Sequence, residues 1–141
     1  MQKENFIDKI LNAGLKNTKY RLSIIELLSE SKELLTAYNI REELLKKKIK
    51  INLSTVYRTV DKLVETKILN RINLENEKNA MYEYNREKHH HFLICENCNK
   101  IVPIYSCPID KYELELEEKS GFQIKGHKIE FYGICEDCQK A

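Results

Sequence analysis

The sequence predicts an α+β chain in two parts, a helical first part and a smaller mixed α/β second part. Three observations predict it. Apolar residues recur at helical spacing through the first 70 positions and then give way to two short β-rich runs around a polar turn. All five cysteines lie between Cys95 and Cys138, with none in the first 94 residues. Charge also divides: residues 1–85 carry 16 Lys+Arg against 12 Asp+Glu, a net of +4, and residues 86–141 carry 8 against 10, a net of −2. A boundary is expected near residues 85–89, giving domains 1–85 and 86–141.

The elements follow in order. Phe6, Ile7, Ile10 and Leu11 form a first helical stripe, with Gly14 as its stop. Thr18 can cap a second helix carrying Leu22, Ile25 and Leu28. Thr36 can cap a third carrying Ala37, Ile40 and Leu44, and Lys46-Lys47-Lys48 would close it where cations suit the helix dipole. Asn52 opens a fourth, with Leu53, Val56, Val60 and Leu63 on one face and Ser54, Tyr57, Arg58 and Asp61 on the other. Arg71–Leu74 and Ala80–Tyr84 flank the turn Glu75–Asn79 and read as a β-hairpin. In the second part, residues 92–95 and 101–105 read as strands and Lys111–Ser120 as a helix stopped by Gly121. Phe122–Ile124 and Lys128–Ile134 read as further strands.

Several helices followed by a hairpin is the order of a winged helix-turn-helix. The fourth helix then carries the chemistry. Arg58 can take guanine O6 and N7 together, and the edge of Tyr57 can meet a thymine methyl. Ser54 and Thr55, near the N-terminus, suit phosphates. The plainer reading is a solvated amphipathic face; the hairpin and the basic bias favour double-stranded DNA. Lys16, Lys19 and Arg21, before and at the start of the second helix, are candidate contacts to the DNA backbone or minor groove, or ordinary surface cations.

The second part is read from its donors. Cys95-Glu96-Asn97-Cys98 and Cys135-Glu136-Asp137-Cys138 supply four thiolates, enough to close a tetrahedral structural zinc site. A part of about 55 residues forms only a weak core alone, and structural zinc contributes roughly 10–16 kcal/mol in small sites. Disulfide pairing with Cys107 left over is the alternative. Cys107, outside both pairs, reads as a partly buried thiol. The N-terminus reads as amphipathic rather than as a signal peptide, no stretch approaches a membrane span, and a reducing cytoplasm is expected. If residues 89–93 are extended, His89 and His91 share one face and His90 and Phe92 the other.

Taken together, these segments resemble the ferric uptake regulator family. The matching pieces are Ala13-Gly14-Leu15-Lys16 with Thr18 and Arg21, Ser54–Thr59 with Asp61 and Leu63, and His89-His90-His91 before Leu93-Ile94-Cys95 and Cys98. Gly121-Phe122, His127 and Tyr132-Gly133 before Cys135 and Cys138 complete them. The resemblance implies a homodimeric, metal-responsive DNA-binding repressor with an N-terminal winged helix and a C-terminal dimerisation domain. It also implies that Asp110 and His127 join His89 and His91 in a regulatory metal site. In relatives the His91 position is often Asp, so the set here is richer in nitrogen. That favours zinc or iron(II), with manganese, nickel or cobalt also admitted.

A second site of relatives falls here on Leu34, Glu83, His90, Phe92 and Pro103. Only Glu83 and His90 can ligate, so that site is expected to be absent or very weak, and peroxide sensing through it is not expected. The expected function is a metal-dependent repressor acting on an inverted repeat, with no membrane partner and no small-molecule substrate. The alternatives are a DNA-binding scaffold with structural zinc alone and, more remotely, a metal-dependent hydrolase.

Overall fold

The computed structural model describes residues 2–75, 77–86 and 90–140, residues 2–4 as backbone only. The chain divides into two compact units, Met1–Arg86 and Glu87–Ala141.

The first unit contains α1 (Gln2–Asn12), α2 (Lys19–Glu30), β1 (Leu35–Thr36), α3 (Ala37–Lys46), α4 (Leu53–Glu65), β2 (Leu69–Ile72) and β3 (Met81–Tyr84). The three predicted caps are in place: the side chains of Thr18, Thr36 and Asn52 accept from the backbone N–H of Arg21, Asn39 and Thr55. At α3 the Asn39 side chain reaches back to the Thr36 N–H, closing a capping box. Three helices end alike. Leu15, Ile49 and Ile68 each donate to a carbonyl five residues back, those of Ile10, Leu44 and Leu63, around a left-handed residue. That residue is Gly14 after α1 but Lys48 and Lys67 after α3 and α4.

The β2–β3 hairpin pairs antiparallel, Arg71 opposite Tyr82, and β1 adds to the other side of β3. The strand β1 is absent from the sequence expectation, and the first hairpin arm runs two residues earlier than expected, from Leu69, while the second falls within its expected span. Ile10, Ile24, Ile25, Ile40, Leu44, Val56, Val60 and Leu63 are wholly buried and form the core with Tyr82 from the wing. Each such side chain contributes about 1.5–3 kcal/mol of burial. Arg86, at the end of this unit, donates to the carbonyls of Leu28, Ser29 and Ser31 and so caps the C-terminal end of α2.

The second unit contains β4 (His91–Cys95), β5 (Ile101–Ile104), α5 (Asp110–Ser120), β6 (Glu130–Gly133) and α6 (Glu136–Lys140). Its sheet has the order β5-β4-β6, with β4 antiparallel to β5 and parallel to β6. Phe122–Ile124, expected as a strand, is irregular, and the last strand is shorter than expected. Ser120 and Gly121 explain the break: Gly121 sits at φ +75°, and the Ser120 hydroxyl accepts from the Phe122 N–H, turning the chain away from an extended course. The short helix α6 was not anticipated. Pro103, opposite Phe92, lies on the edge strand β5, where its missing N–H is tolerated. Among the described residues, no helix is long and apolar enough to cross a membrane.

Candidate metal centres and nucleic-acid interface

The register of β4 and β6 brings the four paired cysteines together. Parallel pairing sets Cys95 opposite Gly133, so the turn after β4 and the turn after β6 emerge side by side. In the first turn Asn99 takes a left-handed conformation, and the Cys98 N–H faces the Cys95 sulfur at 3.5 Å. In the second, the Cys135 N–H donates to the same sulfur at 3.3 Å. The Sγ atoms of Cys95 and Cys138 are 3.8 Å apart, those of Cys98 and Cys135 3.7 Å, and all four lie within 4.8 Å of one another. A zinc tetrahedron with bonds of about 2.3 Å has sulfur–sulfur edges of about 3.8 Å. None of the five cysteines is joined to another as a disulfide in this structure, and the sulfur–sulfur distances are those of a shared metal shell.

Electrostatics fits the same reading. The backbone N–H groups of Cys135 and Cys98 hold the Cys95 thiol down, to about 6. At Cys138 a hydrogen bond from Asn97 pulls the thiol down, but Cys135, burial and the remaining cysteines together outweigh it and push the thiol up to about 12. Four sulfurs this close cannot all carry charge unless a cation neutralises them.

A second donor cluster forms from His91, Cys107 and His127. His91 begins β4, Cys107 lies just before α5, and His127 is in the segment leading to β6. The two Nε2 atoms of His91 and His127 are 3.0 Å apart, and the rings stack with centroids 4.8 Å apart. The Cys107 sulfur is 3.3 Å from His127 Nε2. His91 is 3% exposed, so this is an inward-facing group and not a surface histidine. His127 Nδ1 bonds to Glu113 of α5, which directs the other ring nitrogen at His91 and Cys107. A carboxylate behind an imidazole is the usual orienting partner of a metal-ligating histidine.

Four residues were expected at this site. The structure brings His91 and His127 together. Asp110 lines the adjoining cleft of about 410 Å³ with Tyr105, Cys107, Glu113, Lys125 and His127, but is not among the three converging donors. His89 lies outside the described residues. Cys107 and Glu113 are additions. Cys107 is not an isolated thiol: burial pushes it up, and the carboxylates of Asp110 and Glu113 add to that. Glu113 is three residues after Asp110, hence on the same helical face, which is the sequence signal that points to it.

On the other face of β4 the rings of His90 and Phe92 meet edge to face at 5.0 Å, and His90 stacks on Tyr105 at 5.6 Å. Glu83, in the first unit, is buried and accepts from Asn70. Leu34 is half-buried.

On α4, Ser54, Tyr57 and Arg58 are exposed and Thr55 half-buried. The Thr55 hydroxyl accepts from Arg58 at 3.1 Å, steadying the guanidinium, while the Thr55 N–H is taken by Asn52. Asp61 pairs with Arg71 of β2, tying the helix to the wing. Lys16 and Lys19 are exposed. Arg21 is half-buried and donates to the Lys16 carbonyl at 2.8 Å, so its charge shapes the turn before α2.

The ferric uptake regulator family model matches residues 12–132. The chain is 31% identical over 140 residues to a ferric uptake regulation protein of Neisseria meningitidis serogroup A, covering 99% of this chain and 96% of the relative. The solved structure of the Vibrio cholerae ferric uptake regulator superposes with a TM-score of 0.80 at 27% identity, over 92% of this chain and 98% of that one. The Francisella tularensis ferric uptake regulator, solved with iron, does so at 0.80 and 29%, over 89% and 96%.

Proposed function

Since this chain belongs to the ferric uptake regulator family, we propose that it is a metal-dependent transcriptional repressor that grips an inverted-repeat operator as a homodimer. The observation that carries the proposal is the pairing, within one chain, of a winged helix with an exposed reading face and an inward-facing imidazole cluster, built on buried His91 and half-buried His127, separate from the cysteine quartet. Family membership sets the chain among regulators rather than metallohydrolases.

The first unit supplies the DNA contacts. Tyr57 and Arg58 read base edges from α4, Ser54 and Thr55 meet phosphate at its N-terminus, and Lys16 and Lys19 reinforce the grip on the backbone, with Arg21 holding their turn. The second unit supplies the dimer. Val102, Leu93 and Phe131 stand opposite one another across its three strands, all 39–46% exposed, an apolar stripe suited to a second copy. Two copies related by a two-fold axis set their reading helices roughly 34–36 Å apart, the spacing of an inverted repeat.

The sulfurs of Cys95, Cys98, Cys135 and Cys138 hold structural zinc. The regulatory centre uses His91 and His127, with His89 and Asp110 as further candidate donors, and takes a second divalent ion, zinc or iron(II), with manganese, nickel or cobalt as competitors. When bound, that ion would supply the positive charge that lets these donors stay clustered. His91 follows closely on the unit boundary in sequence, whereas His127 precedes β6. Holding the two in contact fixes the start of the second unit, and the arrangement that holds them is the one that binding populates.

Operator affinity across a metal titration tests this. His127→Ala is expected to lose the metal response while retaining one zinc per chain. Unchanged affinity and unchanged response, or a parent protein that holds a single ion per chain, would leave a DNA-binding scaffold with structural zinc alone.

A further inference from the structure

We propose that Cys107 is itself a ligand of the regulatory centre, which makes that centre a mixed imidazole–thiolate site selective for thiophilic divalent cations. The inference rests on the regulatory reading above and deepens it. Three donors of two kinds converge: His91 Nε2 is 3.0 Å and Cys107 Sγ 3.3 Å from His127 Nε2, and all three atoms lie within 4.8 Å of one another. Around a zinc ion with bonds of about 2.0–2.1 Å to nitrogen and 2.3 Å to sulfur, neighbouring donors stand about 3.3–3.6 Å apart. The cluster is near that size, and a small outward adjustment of each side chain admits the ion.

The surroundings agree with a built site. Glu113 holds Nδ1 of His127, so Nε2 is the nitrogen turned toward His91 and Cys107. The position is separate from the cysteine quartet, whose four sulfurs already complete a shell among themselves.

Binding is then an exchange of one proton for one metal bond: the Cys107 thiol gives up its hydrogen to solvent as the sulfur–metal bond forms, with no change in oxidation state. Thiolate ligation shifts preference toward zinc and cobalt(II) and away from manganese, which suits oxygen donors.

The probe is cobalt(II), added to the full-length zinc-loaded protein with zinc in the quartet confirmed at one ion per chain. The parent is expected to take up one cobalt per chain with a near-ultraviolet thiolate-to-cobalt charge-transfer band. Cys107→Ser is expected to lose that band. It should also weaken cobalt binding by at least the roughly 10–100-fold that losing an outer partner costs, and bring its zinc-over-manganese preference closer to one. A parent that binds one cobalt per chain without the band overturns thiolate ligation and leaves the histidine site standing. A parent that binds no cobalt beside the quartet zinc overturns both readings. The parent spectrum decides the matter even if the variant fails to fold.

Discussion

The two units are held together by different means. In Met1–Arg86, residues such as Ile10, Ile25, Ile40 and Val60 have no exposure at all, and four helices and a wing close around them. In Glu87–Ala141 the buried described residues are Phe92, Ile94, Cys95 and His91, two of them donors, and α5 buries none of its side chains. A chain segment too small to gather an apolar core can instead gather donor atoms, and its folding then depends on the supply of ions. The DNA-reading unit carries no such dependence in its interior. The difference separates what must always be folded from what can respond.

The largest test of this contrast is Cys95→Ser. It is expected to lose the quartet zinc, a contribution on the scale of roughly 10–16 kcal/mol, and with it the folded second unit and the dimer, while the first unit keeps its helical signal and a cooperative melt. A stable zinc-free dimer, seen by metal analysis with light scattering, would sink the structural assignment. A smaller effect should come from the other side. Ile40→Ala removes a wholly buried side chain from the first core and is expected to cost about 2–5 kcal/mol in denaturant melts. Its zinc content should not change, and a fall in zinc per chain would mean that the units do not fold independently. Smallest is Arg58→Ala, expected to weaken the inverted repeat by about 1–3 kcal/mol relative to random DNA, with both metal loads intact. Equal weakening on both DNAs would reduce Arg58 to a phosphate contact.

Much of the first unit is legible in the sequence because its signals are local. Thr18, Thr36 and Asn52 advertise helix starts, and Gly14 advertises a stop. The run Lys46-Lys47-Lys48 marks the end of α3 by its charge, but the left-handed turns at Lys48 and Lys67 are silent, because a lysine in that region is held there by the bonds around it and not by its own preference. The two-residue strand β1 is silent too, since only its pairing with β3 defines it. In the second unit the cysteine quartet is announced by its spacing. Cys107 belongs to no spaced pair, and the contacts between Cys107, His91 and His127 exist only once β4, the loop before α5 and the segment before β6 are folded together. Ligands drawn singly from distant segments leave no pattern to read.

Arg86 has a mechanical consequence. Its guanidinium bolts the last stretch of the first unit to the end of α2, through three carbonyl oxygens. The first unit therefore ends on an anchored residue rather than a loose strand end, fastened to the helical scaffold that bears the exposed face of α4. Arg86→Ala is expected to lower the melting temperature of the first unit while metal content per chain stays unchanged.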